Sequence, residues 1–176
     1  MSGEIERRYL ELIERNRGRI DRLARSWARN PAEREDLRSE ILLQLWRALP
    51  GFDGRSGEDT WLFRVTLNVA MLHGRSRSRR ERGREELEAR APSPPPAVDP
   101  GQRLDERDRL ERLRHAIAEL PPADRALIAL HLEDLPYREI AEITGMNENH
   151  IGVRLHRLRA KLSRRLAEQE VDHGSR

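Results

Sequence analysis

Apolar residues recur along this chain at three- and four-residue spacing, the period of helices that each bury one face. Tyr9, Leu12, Ile13, Ile20, Leu23 and Trp27 form the first stripe and predict a helix over residues 4–30, with a break near Asn16–Gly18. Asn30–Pro31 stops that helix and starts the next. Over residues 32–49, Leu37, Ile41, Leu45 and Leu49 share one side, and Leu42 and Trp46 broaden it. Acids crowd the first turns, where they complement the helix dipole. "PGFDGRSGED" then reads as a loop by its proline and glycines. Thr60 is placed to cap a third helix over residues 60–81, with Leu62, Val65, Val69 and Leu72 as its apolar face. At about 100° per residue, Arg64, Asn68, Arg75 and Arg79 gather on a different, positive face.

The Pro-rich stretch "ARAPSPPPAVDPGQR" has little to bury and predicts a linker. Helical spacing resumes over 104–119 with Leu104, Leu110, Leu113 and Ile117, and again in "LPPADRALIALHLEDL", which starts at its prolines. Two further helical segments, Tyr137–Thr144 and Asn147–Glu168, flank Gly145, placed where a left-handed C-cap is needed. In the last segment Ile151, Leu155, Leu158, Leu162 and Leu166 line one side. Asn149, His150, Val153, Arg154, Arg157, Lys161 and Arg164 line the other, and no acid occurs between Asn149 and Ala167. The expected fold class is all-α: two small helical domains, residues 1–88 and 104–176, joined by a flexible Pro-rich linker over 89–103.

Composition sharpens this picture. Charged residues are 37% and hydrophobic ones 36% of 176, so any core is lean and two small units suit the chain better than one large one. Aromatics are only 4%, against an extensive sheet. The net charge of +3 hides segregation: acids gather at 33–40 and 133–142, bases at 75–84 and 154–165. Lys161 is the only lysine. A GC-rich genome explains most of that arginine bias but not the clustering. Cysteine is absent, so neither a disulfide nor a thiolate metal site is expected. His150 and His156 are six apart and on different faces, poor spacing for zinc. No nucleophile–base pair, Gly-rich phosphate loop or metal constellation is visible, so neither an enzyme, a cofactor nor a small-molecule substrate is expected. With no membrane-length apolar run and no signal peptide, the expectation is a cytoplasmic protein without membrane insertion.

The C-terminal pattern is that of a helix-turn-helix. Ala141 lets the second helix approach closely, and an Arg- and Asn-bearing helix suits the major groove. The N-terminal half adds specificity. "REDLRSEILLQLWRALPGFDG" followed by "TWLFRVTLNVAMLHGRSRSRR" resembles region 2 of bacterial sigma factors of the extracytoplasmic-function (ECF) group. "LRHAIAELPPADRALIALHLEDLPYREIAEITGMNENHIGVRLHRLRAKL" resembles their region 4. The two blocks stand in the family's order and together cover nearly the whole chain.

That resemblance implies a sigma factor: a non-enzymatic subunit that binds core RNA polymerase, directs initiation at particular promoters and helps melt the −10 element. Asp36, Leu37, Glu40 and Gln44 would dock on the β′ clamp helices. Phe52, Arg55, Ser56 and Trp61 would meet the −10 element, where glycines allow close backbone approach and rings can stack on an unstacked base. Arg64, Asn68, Arg75 and Arg79 would follow the single strand or its phosphates. Asn149, His150, Val153, Arg154, Arg157 and Lys161 would meet promoter DNA at the −35 element, with region 4 against the β flap. An anti-sigma factor is the further partner implied. Ser39, where the family often has Gln, His73, where it often has an acid nearby, and the opening "NHIGV" of the last helix depart from the family pattern. The alternative is a stand-alone helix-turn-helix regulator, which has no need of the acidic helix or the "GFDGRSGEDTWL" loop.

Overall fold

The computed structural model describes residues 2–88 and 106–174, and among these every regular element is helical. Helices α1 (Ser2–Trp27), α2 (Pro31–Ala48) and α3 (Glu58–Glu88) form the first unit, with a short 3-10 turn, Leu49–Gly51, after α2. Helices α4 (Glu106–Ala118), α5 (Pro122–His131), α6 (Tyr137–Thr144) and α7 (Glu148–Gly174) form the second. The expected linker over 89–103 and Leu104 lie outside the described residues.

The first core is built as the apolar spacing demands. Leu12, Ile20, Leu23 and Trp27 of α1 meet Leu37, Ile41 and Leu45 of α2, and all are essentially inaccessible to solvent. A fully buried side chain of this size contributes about 2 kcal/mol. Asn30 caps α2: its side-chain oxygen accepts from the Glu33 amide at 2.8 Å, and Pro31 occupies the first turn, where no amide is missed. In return the Glu33 carboxylate accepts from the Arg29 amide at 2.7 Å.

Three expectations about these helices are corrected. Helix α1 runs unbroken through Asn16 and Gly18. Asn16 is fully buried yet satisfied, donating to the Leu12 carbonyl at 3.2 Å and to Asp59 at 3.1 Å. Helix α3 starts at Glu58 and extends to Glu88. The Trp61 amide bonds the Gly57 carbonyl at 2.9 Å, so Thr60 lies buried inside the first turn and does not cap it. The inward face of α3 follows Phe63, Thr66, Leu67 and Ala70 beside Leu62 and Val69, whereas Leu72 is 61% exposed.

In the second unit Ile140 and Ile143 of α6 pack with Ile151, Leu155, Leu158 and Leu162 of α7 over Leu127 and Leu130 of α5. Leu110, expected on the apolar side of α4, is 47% exposed. Gly145 ends α6 in the left-handed region, φ 72°, and its amide bonds the Ala141 carbonyl at 2.8 Å. The Asn147 side chain then accepts from the Asn149 amide at 2.9 Å and opens α7. The two units touch: α3 packs on α5 and α6, and α1 packs on α4.

Candidate nucleic-acid interface

The loop before α3 is anchored at both ends. At its start the Phe52 amide bonds the Leu49 carbonyl at 3.1 Å. The Phe52 ring lies 5.3 Å from Trp61 and beneath the Arg8 guanidinium at 5.1 Å. Both rings are partly buried against the core, and part of each stays open to solvent. Between them Gly54 takes φ 74°, which a side chain would resist. Arg55 folds back on Asp53 through its amide and its Nε, yet its side chain stays 88% exposed. Those bonds, the amide first, hold the Asp53 carboxyl below its usual range. Ser56 is half-buried.

At the loop's far end, acids in the first turn of α3 meet arginines of α1. Arg8 donates to Glu58 at 2.7 Å, and Arg15 reaches Glu58 at 3.1 Å and Asp59 at 2.9 Å. Arg19 reaches Asp59 at 3.2 Å. Hydrogen bonds from Arg8 and Arg15 lower the Glu58 pKa. Burial pushes Asp59 upward, but the bonds from Asn16 and Arg15 and the nearby guanidinium charges outweigh it, so its pKa falls too. Beyond this node Arg64, Asn68, Arg75 and Arg79 are all exposed along one side of α3. Arg64 is already engaged: it donates to the Glu142 carbonyl of α6 at 2.9 Å.

On α2 the residues expected to dock on polymerase separate. Asp36 and Glu40 are exposed and Gln44 is half-buried. Leu37 is completely buried, so its side chain belongs to the core and offers nothing to a partner. The same helix exposes Trp46, whose position was expected to be partly core on the docking helix, at 39% and edge-on to Tyr9 at 5.1 Å, and also Leu43, 46% exposed, which the apolar spacing passed over. Tyr9 donates to the Leu42 carbonyl at 3.0 Å, and burial raises its hydroxyl pKa. His73 of α3 sits 3.5 Å from both Glu33 and Glu40.

On α7, Asn149, His150, Val153, Arg154, Arg157 and Lys161 are all exposed, opposite the buried Ile151, Leu155, Leu158 and Leu162. Arg154 differs from the rest: its Nε donates to Asp124 of α5 at 2.5 Å. Arg159 with His131, and Arg165 with Glu119, tie the same helix to the end of α5 and to the turn just after α4. The "NHIG" opening has a packing reason, because a Cβ on Gly152 would lie 3.3 Å from the Tyr137 ring.

The contacts between the two units were invisible to sequence reasoning. Arg22 grips Glu133 with two 2.6 Å bonds across 111 residues, and the Glu133 side chain is only 3% exposed. The Arg125 guanidinium stacks 4.8 Å from the Trp27 ring. No sequence pattern marks either pair, since each partner stands alone in its own segment. Among the described residues there is no group of three metal-ligating side chains. No helix among them is long and apolar enough to cross a membrane.

Comparison with known proteins covers both units. Residues 12–80 match the family model for sigma-70 region 2, and residues 110–162 match that for sigma-70 region 4. The ECF RNA polymerase sigma factor SigE of Mycolicibacterium smegmatis is 31% identical over 167 residues, 92% of this chain and 63% of that protein. The chain therefore spans less than two thirds of that relative's length. The RNA polymerase sigma-H factor of Pseudomonas aeruginosa is 26% identical over 141 residues, 76% of this chain and 73% of that protein. Among solved structures, CnrH in complex with the cytosolic domain of CnrY superposes with a TM-score of 0.67 at 23% identity, covering 93% of this chain and 90% of that one. The sigma factor RpoE of Bartonella quintana, in complex with the anti-sigma factor NepR, gives 0.60 at 24% identity over 93% and 97%.

Proposed function

The chain belongs to the sigma-70 family, carrying regions 2 and 4 as its ECF group does, and from that premise we propose that it is a sigma factor: it binds core RNA polymerase and directs initiation at its own promoters. One observation carries this reading: two separate polar faces suited to nucleic acid in one chain. One is the ring-bearing loop and Arg–Asn stripe of α3, the other the acid-free outer face of α7. A plain regulator requires only the second.

In this reading Asp36, Glu40 and Gln44, widened by Leu43 and Trp46, meet the β′ clamp helices. The exposed sides of Phe52 and Trp61 receive an unstacked base of the −10 element, with Arg55 and Ser56 alongside. Arg64, Asn68, Arg75 and Arg79 guide the strand by its phosphates. Asn149, His150, Val153 and Arg157 approach base edges of the −35 element, and Lys161 approaches its backbone. Arg154 joins them while braced by Asp124, so its guanidinium arrives pre-oriented. Region 4 also leans on the β flap. An anti-sigma factor that covers the same surfaces is the natural inhibitor, as CnrY and NepR are found in complex with CnrH and RpoE.

The test is transcription in vitro with core enzyme on the promoter upstream of the protein's own gene. Run-off product that core alone does not make is the expected result. DNA binding without any association with core would instead identify a stand-alone regulator and overturn the proposal.

A further inference from the structure

Between the end of α1, the start of α2 and the outer side of α4 lies an open cavity of about 450 Å³. Of its ten described lining residues, Arg25, Arg29, Arg34, Arg114 and His115 are basic, and none of the ten is acidic. On the neighbouring faces Arg8, Arg15, Arg19, Arg22 and Arg38 are each tied to a carboxylate. Among the described residues, Arg25, Arg34 and Arg114 have no hydrogen bond or ion pair of their side chains. The Arg25, Arg34 and Arg114 guanidiniums repel one another around the cavity, and an anion placed among them turns that repulsion into attraction.

We infer that this cavity binds a small polyphosphate anion, and that the anion bridges region 2 to region 4. Three features carry the inference. The forked donors of guanidinium match phosphate oxygens and act as charge-assisted hydrogen bonds. The volume suits a small ligand, and no Phe, Tyr or Trp ring is among the described lining residues, so guanidinium contacts to phosphate dominate what these walls offer. Arg25, Arg29 and Arg34 come from the first unit, whereas Arg114 and His115 come from the second. An anion held by both sides favours the arrangement in which α4 lies against α1, by its affinity for that state over the separated one. The ligand acts as an effector, without being transformed.

Calorimetry on the full chain with inorganic tripolyphosphate, at physiological salt, tests the site. The expected result is saturable 1:1 binding that weakens at least about tenfold in Arg25→Gln and likewise in Arg114→Gln. Both side chains are exposed, so the variants keep their fold, and circular dichroism checks this. Arg7→Gln/Arg17→Gln, on exposed positions of α1 outside the cavity, removes more charge and should leave affinity unchanged. Equal weakening in that control would mean general attraction to a positive chain and would overturn the site. Loss from only one of Arg25 and Arg114 would overturn the bridge. ATP is titrated in parallel: equal affinity assigns the site to phosphate alone, and tighter binding assigns it to a nucleotide. For the bridge itself, dyes at Ser39→Cys and Ser163→Cys in this cysteine-free chain report the separation of the units. Tripolyphosphate should narrow the distance distribution; an unchanged distribution at saturation would refute bridging.

Discussion

Replacing Arg22 should loosen the two units from one another, and the size of the effect follows from an asymmetry in exposure. The Glu133 side chain is 3% exposed and that of Arg22 is 58% exposed. Arg22→Ala therefore strands a buried carboxylate, whose remaining neighbour is the Arg19 guanidinium at 3.9 Å. Removing one partner of a fully buried pair costs about 3–5 kcal/mol. Half of this pair already faces water and Arg19 still helps, so about 2 kcal/mol is the discounted figure. That is a roughly thirtyfold shift of the closed-to-open ratio. Glu133→Leu removes the buried charge together with its need for a partner. The exposed Arg22 simply hydrates, and the cost should stay below about 1 kcal/mol. The double variant Arg22→Ala/Glu133→Leu should then resemble Glu133→Leu rather than the sum of the two. The chain labelled at Ser39→Cys and Ser163→Cys reports the open fraction, and urea unfolding followed by circular dichroism separates opening from loss of either core. The reasoning fails if Glu133→Leu opens the chain as much as Arg22→Ala, or if Arg22→Ala leaves the distances unchanged.

Other consequences are open to direct measurement. Glu58 and Asp59 titrate lower in the folded protein than in the unfolded chain, so they add stability above their ordinary range near pH ~4 and lose it as pH falls through their folded values. The thermal midpoint should thus drop below about pH 4 in the parent and less steeply in Asp59→Asn; identical slopes would exclude this node as a source of acid sensitivity. Gly145→Ala forces a side chain into φ 72° and should lower stability by about 1 kcal/mol in a denaturant melt, with no effect expected on α1–α3. Asp36→Arg should weaken binding to core polymerase while region 4 still binds DNA. Arg157→Ala should weaken −35 binding in a mobility shift and spare core binding, and parallel losses in both assays would contradict the separation of roles.

Much of the fold was legible because its helices obey simple spacing. The leucines of α2 and α7 and the turn at Gly145 lie where periodicity and glycine chemistry put them. The misreadings have local causes. Asn16 reads as a helix breaker until Asp59, 43 residues away, is seen to satisfy its amide. Thr60 reads as a cap because threonine caps often, but Gly57 supplies the first carbonyl of α3. Leu72 reads as core because an apolar stripe was counted from Leu62, whereas Phe63 turns the buried face. Exposure of the polar stripes on α3 and α7 was readable from the same periodicity. The engagement of Arg64 by Glu142, of Arg154 by Asp124 and of Arg22 by Glu133 was not. Each joins residues far apart in the chain, and helical spacing carries no information about which helices meet.

The two anchors of the loop before α3 have a consequence for how such a protein changes over generations. Phe52 and Trp61 fasten one end, and the Asn16–Asp59 contact with its arginines fastens the other, so the residues between them contribute little to holding the helices together. Asp53, Arg55 and Ser56 can be exchanged by mutation while the flanking helices stay in register. A segment insulated in this way is evolvable: in the −10 role proposed for it, promoter preference can drift after gene duplication, one substitution at a time, without each step first having to survive a loss of folding.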